Sequence, residues 1–126
     1  MWKQCNPNPN GKTVGDCTVR AISISTNADW ETVYCGLALQ GFVMADMPSA
    51  NAVTTAYLKH KGFKRRTIPN NYTEEYTVKD FCADHPNGTY VLGIGTHMVA
   101  VVDGNYVDSW DSGNETPVYY FAKEDE

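Results

Sequence analysis

The sequence predicts an α+β domain, with N-terminal helices packed on a C-terminal antiparallel β-sheet. Two observations carry this. Apolar residues recur at helical spacing through the first two thirds of the chain, and from Thr89 onward the period becomes two, with β-branched and aromatic residues dominating. Helices first and strands second is the pattern of segregated rather than alternating elements. At 126 residues the chain fits one domain, 1–126, divided into an N-terminal loop (1–15), a mainly helical part (16–86) and a β part (87–126).

Asn6 to Gly11 alternates Asn with Pro, which excludes helix and gives an ordered loop that delivers the chain to Asp16. Asp16 is an acceptable N-cap for a first helix, with Cys17, Ala21 and Ile24 on one face. Thr26-Asn27-Ala28-Asp29 starts a second, which turns Trp30, Val33, Tyr34, Leu37 and Ala38 inward and stops at Gly41. A third follows Met47-Pro48-Ser49, carries Val53, Ala56, Tyr57 and Leu58, and ends at Gly62. A short fourth runs from Thr77 to about His85, before Pro86. Strands are expected at Thr89–Ile94, His97–Val102, Asn105–Trp110 and Pro117–Ala122, with a fifth at Phe63–Ile68. Asp103-Gly104 is a hairpin signal between two of them.

Apolar residues at 42% and charged residues at 20% describe an ordinary globule, not a disordered chain. A net charge of −5 argues against nucleic acid as a partner, because its binders present basic faces. The run Lys59, Lys61, Lys64, Arg65 and Arg66 reads as a helix C-terminus passing into a solvated strand. No stretch is apolar enough for a signal peptide or a membrane span, so the expectation is a cytoplasmic protein with no membrane partner. Cys5, Cys17, Cys35 and Cys82 then read as free thiols. They contain no Cys-x-x-Cys pair, so no metal and no cofactor are expected.

Three pieces carry chemistry in order: Gly15-Asp16-Cys17-Thr18 opening a helix, His97 opening a strand, and Asp108-Ser109-Trp110 on the strand after it. A thiol in the first turn of a helix faces unpaired N–H groups and the positive end of the dipole, which stabilise the thiolate. The same N–H groups can receive the oxyanion formed when that thiolate adds to a carbonyl. A two-residue turn at Asp103-Gly104 pairs Val102 with Asn105 and, counting back, His97 with Trp110, which leaves Asp108 one diagonal step away on the face of His97. A three-residue loop would offer Asp111 instead. Cys17, His97 and Asp108 are therefore the catalytic candidates, in the roles of nucleophile, proton carrier and imidazole orienter. His60, in a basic helix end, and His85, before a proline turn, lack a carboxylate partner and read as structural.

At these residues the chain resembles the papain-like cysteine peptidases. Gly15-Asp16-Cys17-Thr18-Val19-Arg20-Ala21-Ile22-Ser23 is similar to the helix that carries the family's nucleophile. His97 to Gly104 is similar to its histidine strand, and Asp108-Ser109-Trp110 stands where the family has Asn-Ser-Trp. The resemblance implies a papain-like fold and a Cys17–His97–Asp108 triad whose hydrogen bond Trp110 shields from water. The implied activity is hydrolysis of a peptide, isopeptide or other amide bond in a protein or peptide substrate, through an acyl-enzyme. Transglutaminase- or deamidase-type acyl transfer by the same triad is the neighbouring alternative, and an inactive binding or inhibitory module is the alternative of another class.

The sequence departs from the family in three places. Thr18 replaces the large aromatic after the nucleophile. The upstream oxyanion glutamine is missing, and Asn10 or Asn8 is the candidate replacement. Only 80 residues separate Cys17 from His97, against roughly 130–150 in the papain and cathepsin group, which resembles the minimal bacterial or viral forms. The loops Phe42–Pro48 and Asn70–Tyr76, the latter with Glu74 and Glu75, are candidates for the cleft border.

Overall fold

The computed structural model describes residues 1–68 and 76–123. Among the described residues, four helices and a six-stranded mixed sheet form an α+β architecture. The elements are β1 (Trp2–Gln4), α1 (Cys17–Thr26), α2 (Trp30–Met44), α3 (Asn51–His60), β2 (Phe63–Thr67), α4 (Val78–Asp84), β3 (Thr89–Ile94), β4 (His97–Val102), β5 (Asn105–Asp108) and β6 (Tyr119–Lys123). The strand order is β1-β5-β4-β3-β6-β2.

The period-two strands alternate between two buried cores because the sheet is covered on both faces. On one side Ala21 and Ile22 of α1, Val33 and Leu37 of α2 and Val53, Tyr57 and Leu58 of α3 pack on Phe63, Val91, Met98 and Phe121. On the other, Val78, Phe81 and Cys82 of α4 close over Tyr90, Leu92, Val99, Val101 and Tyr106. α1 is sandwiched centrally and buries Arg20, Ala21, Ile22, Ser23 and Ser25, more of its circumference than one stripe. α4 starts with a reciprocal capping box between Thr77 and Asp80, as short helices require to offset their unpaired ends.

The hairpin turn has the expected form. Asp103 and Gly104 both have positive φ (48° and 78°), the two-residue turn that suits twisted strands, and Val102 pairs with Asn105 and Val101 with Tyr106. This register sets His97, Val99 and Val101 of β4 on the same face as Tyr106 and Asp108 of β5.

Three expectations are corrected. The loop expected over 1–15 contains β1, which pairs parallel with β5 (Trp2 with Tyr106, Gln4 with Asp108), so the sheet is mixed rather than antiparallel. The strand expected at Phe63–Ile68 is β2, at the opposite edge and antiparallel to β6. α2 does not stop at Gly41 but continues to Met44, with Ala45 as its left-handed cap. Gly41 is there for a close approach: a Cβ would lie 2.8 Å from the Asp46 carbonyl oxygen, which folds back over the helix. Tyr34, expected inside, is 54% exposed and stacks on Trp30 with ring centroids 5.1 Å apart. The segment Asn70–Tyr76 with Glu74 and Glu75 lies, apart from Tyr76, outside the described residues. Among the described residues, no helix is long and apolar enough to cross a membrane.

Candidate active site

The first turn of α1 meets the beginning of β4. The Thr18 hydroxyl lies 3.4 Å from the Met98 sulfur, and the Cys17 thiol interacts with the His97 imidazole and the Met98 backbone N–H. On its other side His97 presents Nε2 to Asp108 Oδ2 at 2.6 Å, which leaves Nδ1 as the nitrogen for Cys17. Cys17, His97 and Asp108, separate in the chain, thus meet at one site, where the imidazole is hydrogen-bonded to the carboxylate and electrostatically coupled to the thiol. Trp110 lies against the ring of His97, centroids 4.8 Å apart.

Each group's protonation follows from its neighbours. Burial alone would push the Cys17 thiol up, but hydrogen bonds from His97, the Met98 N–H and Thr18, together with the imidazole's charge, hold it below its ordinary value. Burial alone would pull His97 down. The hydrogen bonds and charges of Asp108 and Cys17 reverse that and raise it from 6.5 to about 9. Both shifts favour a thiolate–imidazolium pair at neutral pH.

Asp108 is held from every side. Oδ2 also accepts from the buried Ser112 hydroxyl (2.7 Å), and Oδ1 accepts from the Ser109 N–H (2.8 Å) and faces Arg20 Nη2 at 3.7 Å. Its backbone carbonyl receives the Trp2 indole N–H (3.1 Å) and the Cys5 N–H (2.9 Å), so β1 fixes the carboxylate-bearing end of β5. Asp111, the alternative in a longer loop, instead accepts from the Tyr106 hydroxyl at 2.6 Å and the Gly113 N–H at 3.1 Å.

Asp16 occupies the cap position of α1 without capping it. Its carboxylate pairs with Arg20 and accepts from the Trp30 indole (2.9 Å) and the Asn8 amide (3.3 Å). As a result the backbone N–H groups of Cys17, Thr18 and Val19 have no acceptor among the described residues. Arg20 connects two carboxylates, Asp16 before the thiol and Asp108 beyond the imidazole, while its Nε is buried without a partner. A buried orphan donor costs about 1–3 kcal/mol, an expense offset here by two charge-assisted contacts.

The structure brings together Cys17, His97 and Asp108, and engages the Asn8 side chain in the loop that leads to Asp16. Asn8 is buried, with its amide nitrogen on Asp16 and its oxygen accepting from the N–H groups of Asn10 (2.9 Å) and Lys12 (3.2 Å). Asn10 is exposed on the same loop. Neither side chain has a hydrogen bond to Cys17 among the described residues. His85 stacks on Phe81 and holds its carbonyl through Nδ1 at 2.9 Å, a packing role, and His60 is exposed at the end of α3. Cys5, Cys17, Cys35 and Cys82 are all free.

Arg20, Ser112 and Trp2 were not singled out by sequence. For Arg20 a signal existed in its i,i+4 spacing from Asp16. No protein-family model, curated protein or solved structure matches this chain.

Proposed function

We propose that this chain is a cysteine hydrolase of papain-like architecture that cleaves a peptide, isopeptide or other amide bond through an acyl-enzyme at Cys17. The observation that carries the reading is the alignment of a depressed thiol, a raised imidazole and a fully anchored carboxylate, with the thiol at a helix start whose N–H groups are unclaimed.

The thiolate sulfur of Cys17 adds to the substrate carbonyl carbon, forming a C–S bond and moving the carbonyl π electrons onto oxygen. The Cys17 and Thr18 N–H groups receive that oxyanion, and a donor of this kind is worth about 3–4 kcal/mol in the transition state. The imidazolium gives its Nδ1 proton to the leaving nitrogen as the C–N bond breaks. Water then gives a proton to the neutral imidazole and attacks the thioester. The C–S bond breaks, releasing the carboxylic acid and the thiolate. Asp108 keeps the ring in the tautomer and orientation that both steps use.

The test is digestion of an unfolded protein with product analysis by mass spectrometry. Wild type should generate new N-termini with free carboxyl partners, and Cys17→Ala and His97→Ala should generate none. Cleavage that persists in Cys17→Ala would remove the reading. Products in which an amine rather than water has resolved the acyl-enzyme would reassign it to acyl transfer.

A further inference from the structure

The outer face of α2 is apolar where a surface helix is ordinarily polar. After Glu31 the helix carries no charged residue. Away from the core residues Val33, Leu37 and Gly41, the side chains of Leu39, Phe42 and Val43 face outward at helical spacing, 63%, 82% and 71% exposed, and Met47 follows at 67%. They adjoin one another. Leu39 and Val43 border one open hollow with Tyr57, His60 and Lys61, and Phe42 and Met47 border a second with Asp46. Scattered apolar residues are normal on a surface, but these four with Met44 expose about 700 Å² together, above the roughly 300–600 Å² of the largest patch on a typical monomer.

We infer that this face is the interface of a symmetric homodimer, covered by the same face of a second copy. Area selects a protein partner, because about 700 Å² per copy approaches the roughly 800 Å² per partner of a standard interface. Charge selects a copy of this chain. One hollow is bordered by His60 and Lys61 and the other by Asp46, with Val43 and Phe42 standing between them. A two-fold axis beside Phe42 exchanges the two hollows, which turns Asp46 of each copy toward Lys61 and His60 of the other and sets Phe42 against its own counterpart. The stripe between carries no charge, so two identical surfaces close without burying like charges. A bilayer is the poorer match. The net charge of −5 and Asp46 at the border repel anionic headgroups, and helices that lie in a membrane interface flank their apolar face with many cations. The pairing is independent of the chemistry proposed for Cys17.

Sedimentation equilibrium of the full chain tests this. Wild type should pass from monomer to dimer with half-association at roughly 1–100 µM, as suits an interface at the lower end of the standard size. Phe42→Lys and Phe42→Glu, at a site exposed enough to leave the urea midpoint unchanged, should each weaken association about 100-fold. An equimolar mixture of the two should recover most of it, because the axis sets position 42 opposite itself. Asp46→Lys and Lys61→Glu should each weaken association about threefold, and the double variant should restore it. Ala83→Lys, exposed on α4 across the sheet, should change nothing. A wild type monomeric to about 300 µM, a dimer indifferent to Phe42→Lys, or a mixture of the two Phe42 variants that stays monomeric overturns the inference. A monomeric wild type whose tryptophan fluorescence shifts with phosphatidylcholine vesicles also overturns it and assigns the face to a bilayer.

Discussion

Removing the imidazole should change how the thiol titrates, by an amount the site's geometry sets. In His97→Ala the Cys17 thiolate loses a charge-assisted hydrogen bond and the neighbouring positive charge, while the burial that opposes ionisation remains. Hydrogen bonds to charged groups contribute about 1.5–3 kcal/mol, which at about 1.4 kcal/mol per pKa unit is roughly a 10- to 150-fold loss of thiolate below the titration midpoint. Alkylation by iodoacetamide, followed at each cysteine by peptide mass mapping between pH 5 and pH 10, reads this directly. Exposed Cys35 serves as the internal reference, and Cys82, whose buried thiol is pushed up, should stay unmodified until unfolding. At pH 6 Cys17 should outpace Cys35 in wild type and fall behind it in His97→Ala. Because a thiolate of higher pKa is intrinsically more nucleophilic, the order of the two proteins should reverse at pH 10. Superimposable pH profiles for Cys17 in the two proteins would refute the thiol–imidazole coupling on which the mechanism rests.

Three further outcomes are expected. Asn8→Ala should lower stability in urea by about 1–3 kcal/mol, through the lost bonds to Asp16 and the Asn10 and Lys12 N–H groups, while kcat falls less than tenfold. A loss of about 100-fold or more at unchanged stability would return Asn8 to the oxyanion site. In Cys17→Ala, His97 still faces Asp108 and should remain raised above 6.5, so the native state binds that proton more tightly than the unfolded chain. Its stabilisation is full below pH 6.5 and lost as the pH rises through a raised midpoint that lies below the wild-type value of about 9, because the Cys17 contribution is gone; adding Asp108→Asn should flatten that slope in urea titrations. Gly93→Ala places a Cβ 2.1 Å from the Tyr119 ring and should cost about 1–3 kcal/mol, and Tyr119→Ala in the same chain should recover part of that cost, measured as a double-mutant cycle.

The parts of the molecule legible in the sequence are those fixed by neighbours in the chain. Apolar spacing located all four helices and the strands from Thr89 onward, and the positive-φ pair Asp103-Gly104 fixed the register that sets Asp108, not Asp111, opposite His97. β1 was not legible because three residues carry no period and its partner lies about a hundred positions away. Asp16 illustrates a different limit. Its position before the helix is that of a cap, yet Arg20, Trp30 and Asn8 take its carboxylate, and only the folded arrangement reveals that competition. Tyr34 follows the helical period to the inner face, but an open cleft lies there in place of core, so the same pattern yields half-exposed pocket wall.

The position of β1 and of the three site residues along the chain has a consequence for biosynthesis. Cys17 leaves the ribosome 80 residues ahead of His97, and β1 waits longer still for β5. At about 5–20 residues per second, the nascent polypeptide carries this thiol for several seconds with nothing to ionise it. During that interval it has only the few per cent of thiolate that an unperturbed cysteine carries near neutral pH. On the proposed reading the thiol is activated only when the last third of the polypeptide docks, so in translation products truncated before His97 Cys17 should alkylate no faster than an exposed, unperturbed cysteine.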